Sequence, residues 1–204
     1  MNIDPSDNLV SLDTEHPIWE HFFTVHALVV IGTREGDSYD LAPKHMVSPL
    51  GWDNHFGFIC TPRHSTYWNC KTEKVFTVSF PWPDQTVITS LTASPRLNDG
   101  PRGSKPVLQE LPTIPAQVVE GIFLKDSYLF LECELTRIID GFGANSLITG
   151  QIVAAQVDER ALRISENEDQ DRLFRAPLLA YLNPGRFAII KETYAFPFPA
   201  DFEK

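Results

Sequence analysis

Seven runs with strand-like patterning recur along the chain, and helical patterning is confined to short insertions between them. In "YLFLECELTRII" (128–139), Leu129, Leu131, Cys133 and Leu135 face one side, while Tyr128, Phe130, Glu132 and Glu134 face the other. In "KVFTVSF" (74–80), Phe76, Val78 and Phe80 share a face, and "HFGFICT" (55–61) also alternates. "FFTVHALVVIGT" (22–33) is rich in β-branched and aromatic residues and ends at Gly32. "AQVVEGIFL" (116–124), "SLITGQIVAAQV" (146–157, with Gly150 at a bulge) and "RFAIIKETYAF" (186–196) complete the set. Short helices are predicted over 66–73, behind a Ser65 or Thr66 cap, and over 83–94, opened by Pro and Asp, with a brief turn at 168–174. Strands about every dozen residues with so little helix predict an all-β chain, a closed or partly closed antiparallel barrel.

One stretch breaks the pattern. "YDLAPKHMVSP" (39–49) starts as a strand and then places Pro43 inside it, although proline cannot donate to a ladder. Two readings stand. The segment is a bulged edge strand, or Pro43 holds residues 41–45 extended and off the ladder, offering their backbone to a flat heterocycle with imide edges.

A second stretch, "TPRHSTYWN" (61–69), runs from a strand into a helix. Arg63, His64, Ser65 and Thr66 cluster at the helix start, where free N–H groups and the positive dipole end collect. An arginine and two hydroxyls there fit a phosphate cup, with Asn69 on the same face as Thr66. The plain alternative is a Ser/Thr cap beside a solvated arginine. The glycines of a phosphate loop or dinucleotide fingerprint are absent.

With 204 residues and 43% hydrophobic content, the chain has material for one domain with a real core. A net charge of −10 excludes the basic face of a nucleic-acid binder but permits a local basic pocket for a small anion. Cys60, Cys70 and Cys133 show no CxxC spacing and read as reduced, buried small hydrophobes, which with the acidic N-terminus predicts a cytoplasmic protein. No apolar run approaches the ~20 residues of a membrane span. The six histidines form no HExxH or zinc spacing, so no metal site is expected. No GxSxG elbow supports a hydrolase, and the acidic run "ENEDQD" (166–171) reads as a solvated face. The four tryptophans read as core or interface residues. The Pro- and Gly-rich segment 95–115 reads as a long excursion of the kind that carries function or links elements. The tail 195–204 reads as an extended arm.

Taken in order, these pieces resemble the flavin reductase-like family of FMN-binding split barrels (flavoredoxin-like), over roughly residues 22–194. "VVIGT" with Thr33 and "YDLAPKHM" are similar to the family's strand and "N-x-A-P-(Y/S)-S" segment. "RHSTYWN" is similar to its "K-D-T-x-x-N" helix start, and "VFTVSF" to the strand that follows. "LECELTRII", "NSLITGQIVAAQVD" and "LLAYLNPGRFAII" resemble its closing elements.

The resemblance implies an antiparallel Greek-key split β-barrel spanning 1–204 as a single domain with terminal arms. It implies a homodimer with FMN near the subunit interface. It implies that Thr66 and Asn69, helped by Arg63, His64 and Ser65, hold the FMN phosphate and ribityl chain. Leu41, Ala42 and Pro43 would run along the isoalloxazine, with Thr33 close by. The chain departs from the family at Asp40, where an asparagine is usual, and at Lys44-His45, where a small polar residue is usual. A cation at Lys44 would favour the anionic reduced flavin. The implied activity is hydride transfer from NAD(P)H through FMN to free flavin or another acceptor, which demands no catalytic acid or base. A non-enzymatic FMN electron carrier and a cofactor-less interaction protein on the same barrel are the alternatives.

Overall fold

The computed structural model describes residues 8–97, 104–165 and 168–199. Its elements run β1 (Thr24–Ala27), β2 (Val29–Glu35), β3 (Ser38–Lys44), β4 (Val47–Pro49), β5 (His55–Cys60), α1 (Ser65–Glu73), β6 (Val75–Phe80), α2 (Thr86–Leu91), β7 (Thr113–Pro115), β8 (Ile122–Leu124), β9 (Leu129–Phe142), β10 (Asn145–Val157), α3 (Asp169–Arg175), β11 (Leu178–Asn183) and β12 (Arg186–Ile190).

Seven of these strands form one antiparallel sheet in the order β3-β2-β6-β9-β10-β5-β4. Its two edges, β3 and β4, are separated in the chain by only His45 and Met46. Three Cα steps keep Lys44 and Val47 within about 11 Å of each other. Flat, seven strands would hold their edges roughly 29 Å apart. The sheet therefore curls until its edges approach, and the broken stretch 39–49 is the corner where they meet. The enclosed side carries the main core: Val29, Ile31, Phe56, Phe58, Tyr67, Cys70, Phe76, Val78, Cys133 and Ile148 among others. Val30 and Leu41 point the other way, into a second cluster with Leu111 and Leu124. A three-stranded sheet, β1-β11-β12, and a β7-β8 hairpin flank the barrel. Helix α1 carries the chain from β5 to β6, on opposite sides of the β9–β10 hairpin.

Period-two patterning explains the long strands: the predicted apolar faces of β6 and β9 line the main core, while Thr77, Ser79 and Glu132 on their opposite faces are buried beneath flanking segments. The β9–β10 register shifts between Thr149 and Gly150, where Thr136 of β9 is the extra residue, and a Cβ on Gly150 would lie 2.6 Å from Cε1 of Phe76, so glycine there makes room for that ring. Cys60, Cys70 and Cys133 are free and buried. No described helix is long and apolar enough to cross a membrane.

Several expectations need correction. The run 22–33 is two strands in different sheets, divided at Leu28. Residues 116–119 form no strand: the N–H groups of Gln117, Val118 and Val119 turn to the Glu132 carboxylate, and that of Ala116 donates to the Gly121 carbonyl. The last strand stops at Ile190, and β11, "LLAYLN", was not among the predicted strands. Of the four tryptophans, expected in core or interface, Trp82 lies in the core and Trp19, Trp52 and Trp68 are exposed on this chain. The acidic run 166–171 is described only from Glu168 onward, where Glu168 and Asp171 are exposed as expected, Asp169 is half-buried, and Glu168 and Asp169 pair with Arg172 and Arg163.

Pro43 also differs from the off-ladder reading. It stays in register opposite Val30. The Leu41 carbonyl accepts a bond from Lys105, outside the sheet, so the backbone of Leu41 points away from β2. Pro43, two residues on, points the same way, and its missing N–H falls on the open edge of β3.

Candidate functional site

A cavity of about 600 Å³ opens between the end of β3, the start of α1 and the segment after α2. Asp40, Ala42, Pro43 and Lys44 line it from β3, Ser65 and Thr66 from the first turn of α1, and Arg63 and His64 from the turn before it. These eight are expected site residues, brought together from two distant stretches. Thr33, Leu41, His45 and Asn69 do not line it. Thr33 and Asn69 are buried against each other, and Leu41 lies in the second core cluster. The His45 ring packs on Tyr181 and edges His26.

The far wall is one that motif reasoning missed: Thr92, Ala93, Ser94, Pro95, Arg96 and Lys105. A faint signal existed. Asp40 is an acid within a strand, and a buried carboxylate needs cations. Asp40 is 3% exposed and pairs with Arg96 at 3.1 Å and Lys105 at 3.2 Å, while Arg96 also reaches Glu35 at 2.8 Å.

His64 is the N-cap of α1 and makes no side-chain cap bond, so the expected Ser65 or Thr66 cap is not formed. Ser65 is 4% exposed, yet its hydroxyl has no partner. A buried, unsatisfied hydroxyl is uncommon in folded proteins and marks a place where a ligand acceptor would fit. Arg63 and Lys44 have no carboxylate partner among the described residues, in contrast to Arg96 and Lys105. Burial lowers the pKa of His64, and the nearby Lys44 charge lowers it further. Burial raises the pKa of Cys60, against the pull of the neighbouring Lys44 ammonium. Such a site, with a helix N-terminus, two uncompensated cations and an idle hydroxyl, suits a phosphate.

Another cavity, of about 630 Å³, lies between α3 and the 193–198 stretch. Its arginines are engaged by acids of the chain itself: Arg160 by Asp158, Arg163 by Asp169 and Arg172 by Glu168. No cluster of three or more His, Cys, Asp or Glu able to hold a metal ion occurs among the described residues.

Residues 23–186 match the family described as flavin reductase like domain. No curated protein matches the sequence with significance. The fold is similar to an FMN-binding protein of Thermus thermophilus with bound p-hydroxybenzaldehyde, at 20% identity over 93% of this chain and 100% of that one, with a TM-score of 0.74. It is similar to flavoredoxin of Methanosarcina acetivorans, at 19% identity over 93% and 95% of the two chains, with a TM-score of 0.71. It is also similar to nitrilotriacetate monooxygenase component B of Bacillus cereus, at 16% identity over 92% and 98%, with a TM-score of 0.76.

Proposed function

Since the chain belongs to the flavin reductase-like domain family, we propose that it binds FMN in the cavity between β3 and α1 and works as an FMN-dependent oxidoreductase. Hydride would come from NAD(P)H and leave to free flavin or another small acceptor. The carrying observation is Ser65, a buried hydroxyl without a partner at the uncapped start of a helix.

The residues divide the work by chemistry. Ser65, Thr66 and the first N–H groups of α1 receive the phosphate, with Arg63 and Lys44 balancing a charge of about −1.5 to −2. Lys44 is assigned to this end because it lines the cavity with Arg63, Ser65 and Thr66 and has no carboxylate partner among the described residues. Ala42 and Pro43 give the ring an apolar wall along the open edge of β3. Thr33 and Asn69 support the site through their mutual bond. When bound, FMN supplies the hydride-accepting chemistry, and the protein's task is to orient it and set its surroundings. A homodimer is part of the proposal, with exposed Tyr194 and Phe196 of the tail suited to contact a second copy.

The test is spectroscopic. Protein incubated with FMN and desalted should keep a band near ~450 nm, and anaerobic NADH or NADPH should bleach it. Colourless protein rejects FMN binding. A retained band that neither nucleotide bleaches turns the assignment to an electron carrier. Sedimentation as a monomer rejects the dimer.

A further inference from the structure

The Lys105 side chain is 6% exposed, and its ammonium has three donors. All three are used. They go to the Leu41 carbonyl at 2.7 Å, the Asp40 carboxylate at 3.2 Å and the Thr92 carbonyl. The other carboxylate oxygen of Asp40 takes Arg96 at 3.1 Å. Leu97 N–H donates to the Ser104 carbonyl at 2.7 Å, so the two limbs of this segment are tied together. The far wall of the cavity is thereby fixed to β3 through Asp40 and its two cations.

Lys105 also does something to β3 itself. Along the open edge of that strand the outward carbonyls belong to alternate residues, Leu41 and then Pro43. Lys105 occupies the first. We propose that Lys105 is the positioning residue of the cofactor site. It closes the Leu41 carbonyl to the ligand, leaves Pro43 as the next open backbone acceptor, and holds the Thr92–Arg96 wall at a set distance from it. A bound ring then has one register along the edge instead of two. The inference rests on the FMN reading above. It gives the buried acid at position 40 a role, as the anchor that the two cations share.

The experiment compares wild type with Lys105→Met, Lys105→Arg and Leu108→Ala. Methionine keeps the apolar stem and removes the donors. Leu108 packs on the second core cluster from the same excursion without lining the cavity, so its truncation loosens the segment from the apolar side. Each variant is titrated with FMN, and the visible circular dichroism of the bound flavin is recorded beside the apo melting temperature. Lys105→Met is expected to bind FMN at least tenfold more weakly and to change the visible dichroism, because the ring can now reach the Leu41 carbonyl. Lys105→Arg should recover part of the affinity. Leu108→Ala should lower the apo melting temperature and leave the dichroism of bound FMN as in wild type. Two results overturn the inference alone: Lys105→Met binding within twofold of wild type with unchanged dichroism, or Leu108→Ala reproducing its spectral change. Wild-type protein that takes up no FMN overturns the underlying reading instead, and the inference with it.

Discussion

The Asn69 side-chain amide donates to the Thr33 hydroxyl at 3.0 Å, and both residues are buried. The bond ties α1 to β2. Asn69→Ala removes the donor and leaves the hydroxyl of Thr33 without its partner. That loss is expected to destabilise the fold by about 1–3 kcal/mol. Urea unfolding of the apo protein measures it. An unchanged midpoint would mean that the bond contributes nothing and that Asn69 has another partner in solution.

The phosphate end makes a selectivity prediction. Ser65→Ala removes one hydroxyl from the proposed cup, and Arg63→Ala removes one charge. Hydrogen bonds to charged groups are worth about 1.5–3 kcal/mol, so each variant should weaken FMN by roughly tenfold or more. Riboflavin has no phosphate, and its binding should be unchanged. Flavin fluorescence titrations with both ligands decide. Equal losses for FMN and riboflavin would move the phosphate elsewhere.

Legibility followed locality. β5, β6 and β9 carry their period of two in consecutive residues and could be read directly; α1 was placed to within a residue, but the hydroxyl cap that marked its start is not made, because His64 stands at the N-cap. The short strand β11 has no alternation in "LLAYLN", and nothing in 22–33 says that its halves join different sheets. Sheet membership is settled by partners far along the chain, such as Ala27 opposite Ala180. The cavity divides the same way. Its near wall was visible as two motifs. Its far wall depends on Lys105 meeting Asp40 across 65 positions, which no local spacing encodes. The proline at 43 was visible, but its meaning was not: the corner that joins the two sheet edges is a property of the closed barrel.

His45 sits at that corner, 4.4 Å from the Tyr181 ring centroid and 5.7 Å from that of His26. Burial, then the charges of His26 and Lys44, hold its pKa below the ordinary 6.5. Between the lowered folded value and 6.5 the unfolded chain binds more protons than the folded one. Stability should therefore be full above about pH 6.5 and decline as pH falls below it. His64, also lowered, adds to the same slope. His45→Phe keeps a ring on Tyr181 and removes one titrating group. Its melting temperature should fall less than that of wild type between about pH 7 and about pH 5. Parallel curves for the two proteins would remove His45 from the account.

The loop at 116–121 offers the last test, because it braces the edge strand that the cavity depends on. Backbone N–H groups of Gln117, Val118 and Val119 converge on the Glu132 carboxylate at 3.0, 2.6 and 2.7 Å. Glu132 is 3% exposed on β9. From the same loop Glu120 accepts the hydroxyl of Tyr39, on β3. Glu132→Ala should free the loop, with faster hydrogen exchange at residues 117–119 and a loss of about 1–3 kcal/mol in stability. Amides of Phe76 and Cys133, in the barrel core, should keep their protection. Because the Tyr39 contact goes with the loop, FMN affinity should also fall by a few-fold, less than in Ser65→Ala, since no group touching the cofactor is removed. Exchange that accelerates across the barrel as a whole would make Glu132 a global stability residue and sever this link between the loop and the site.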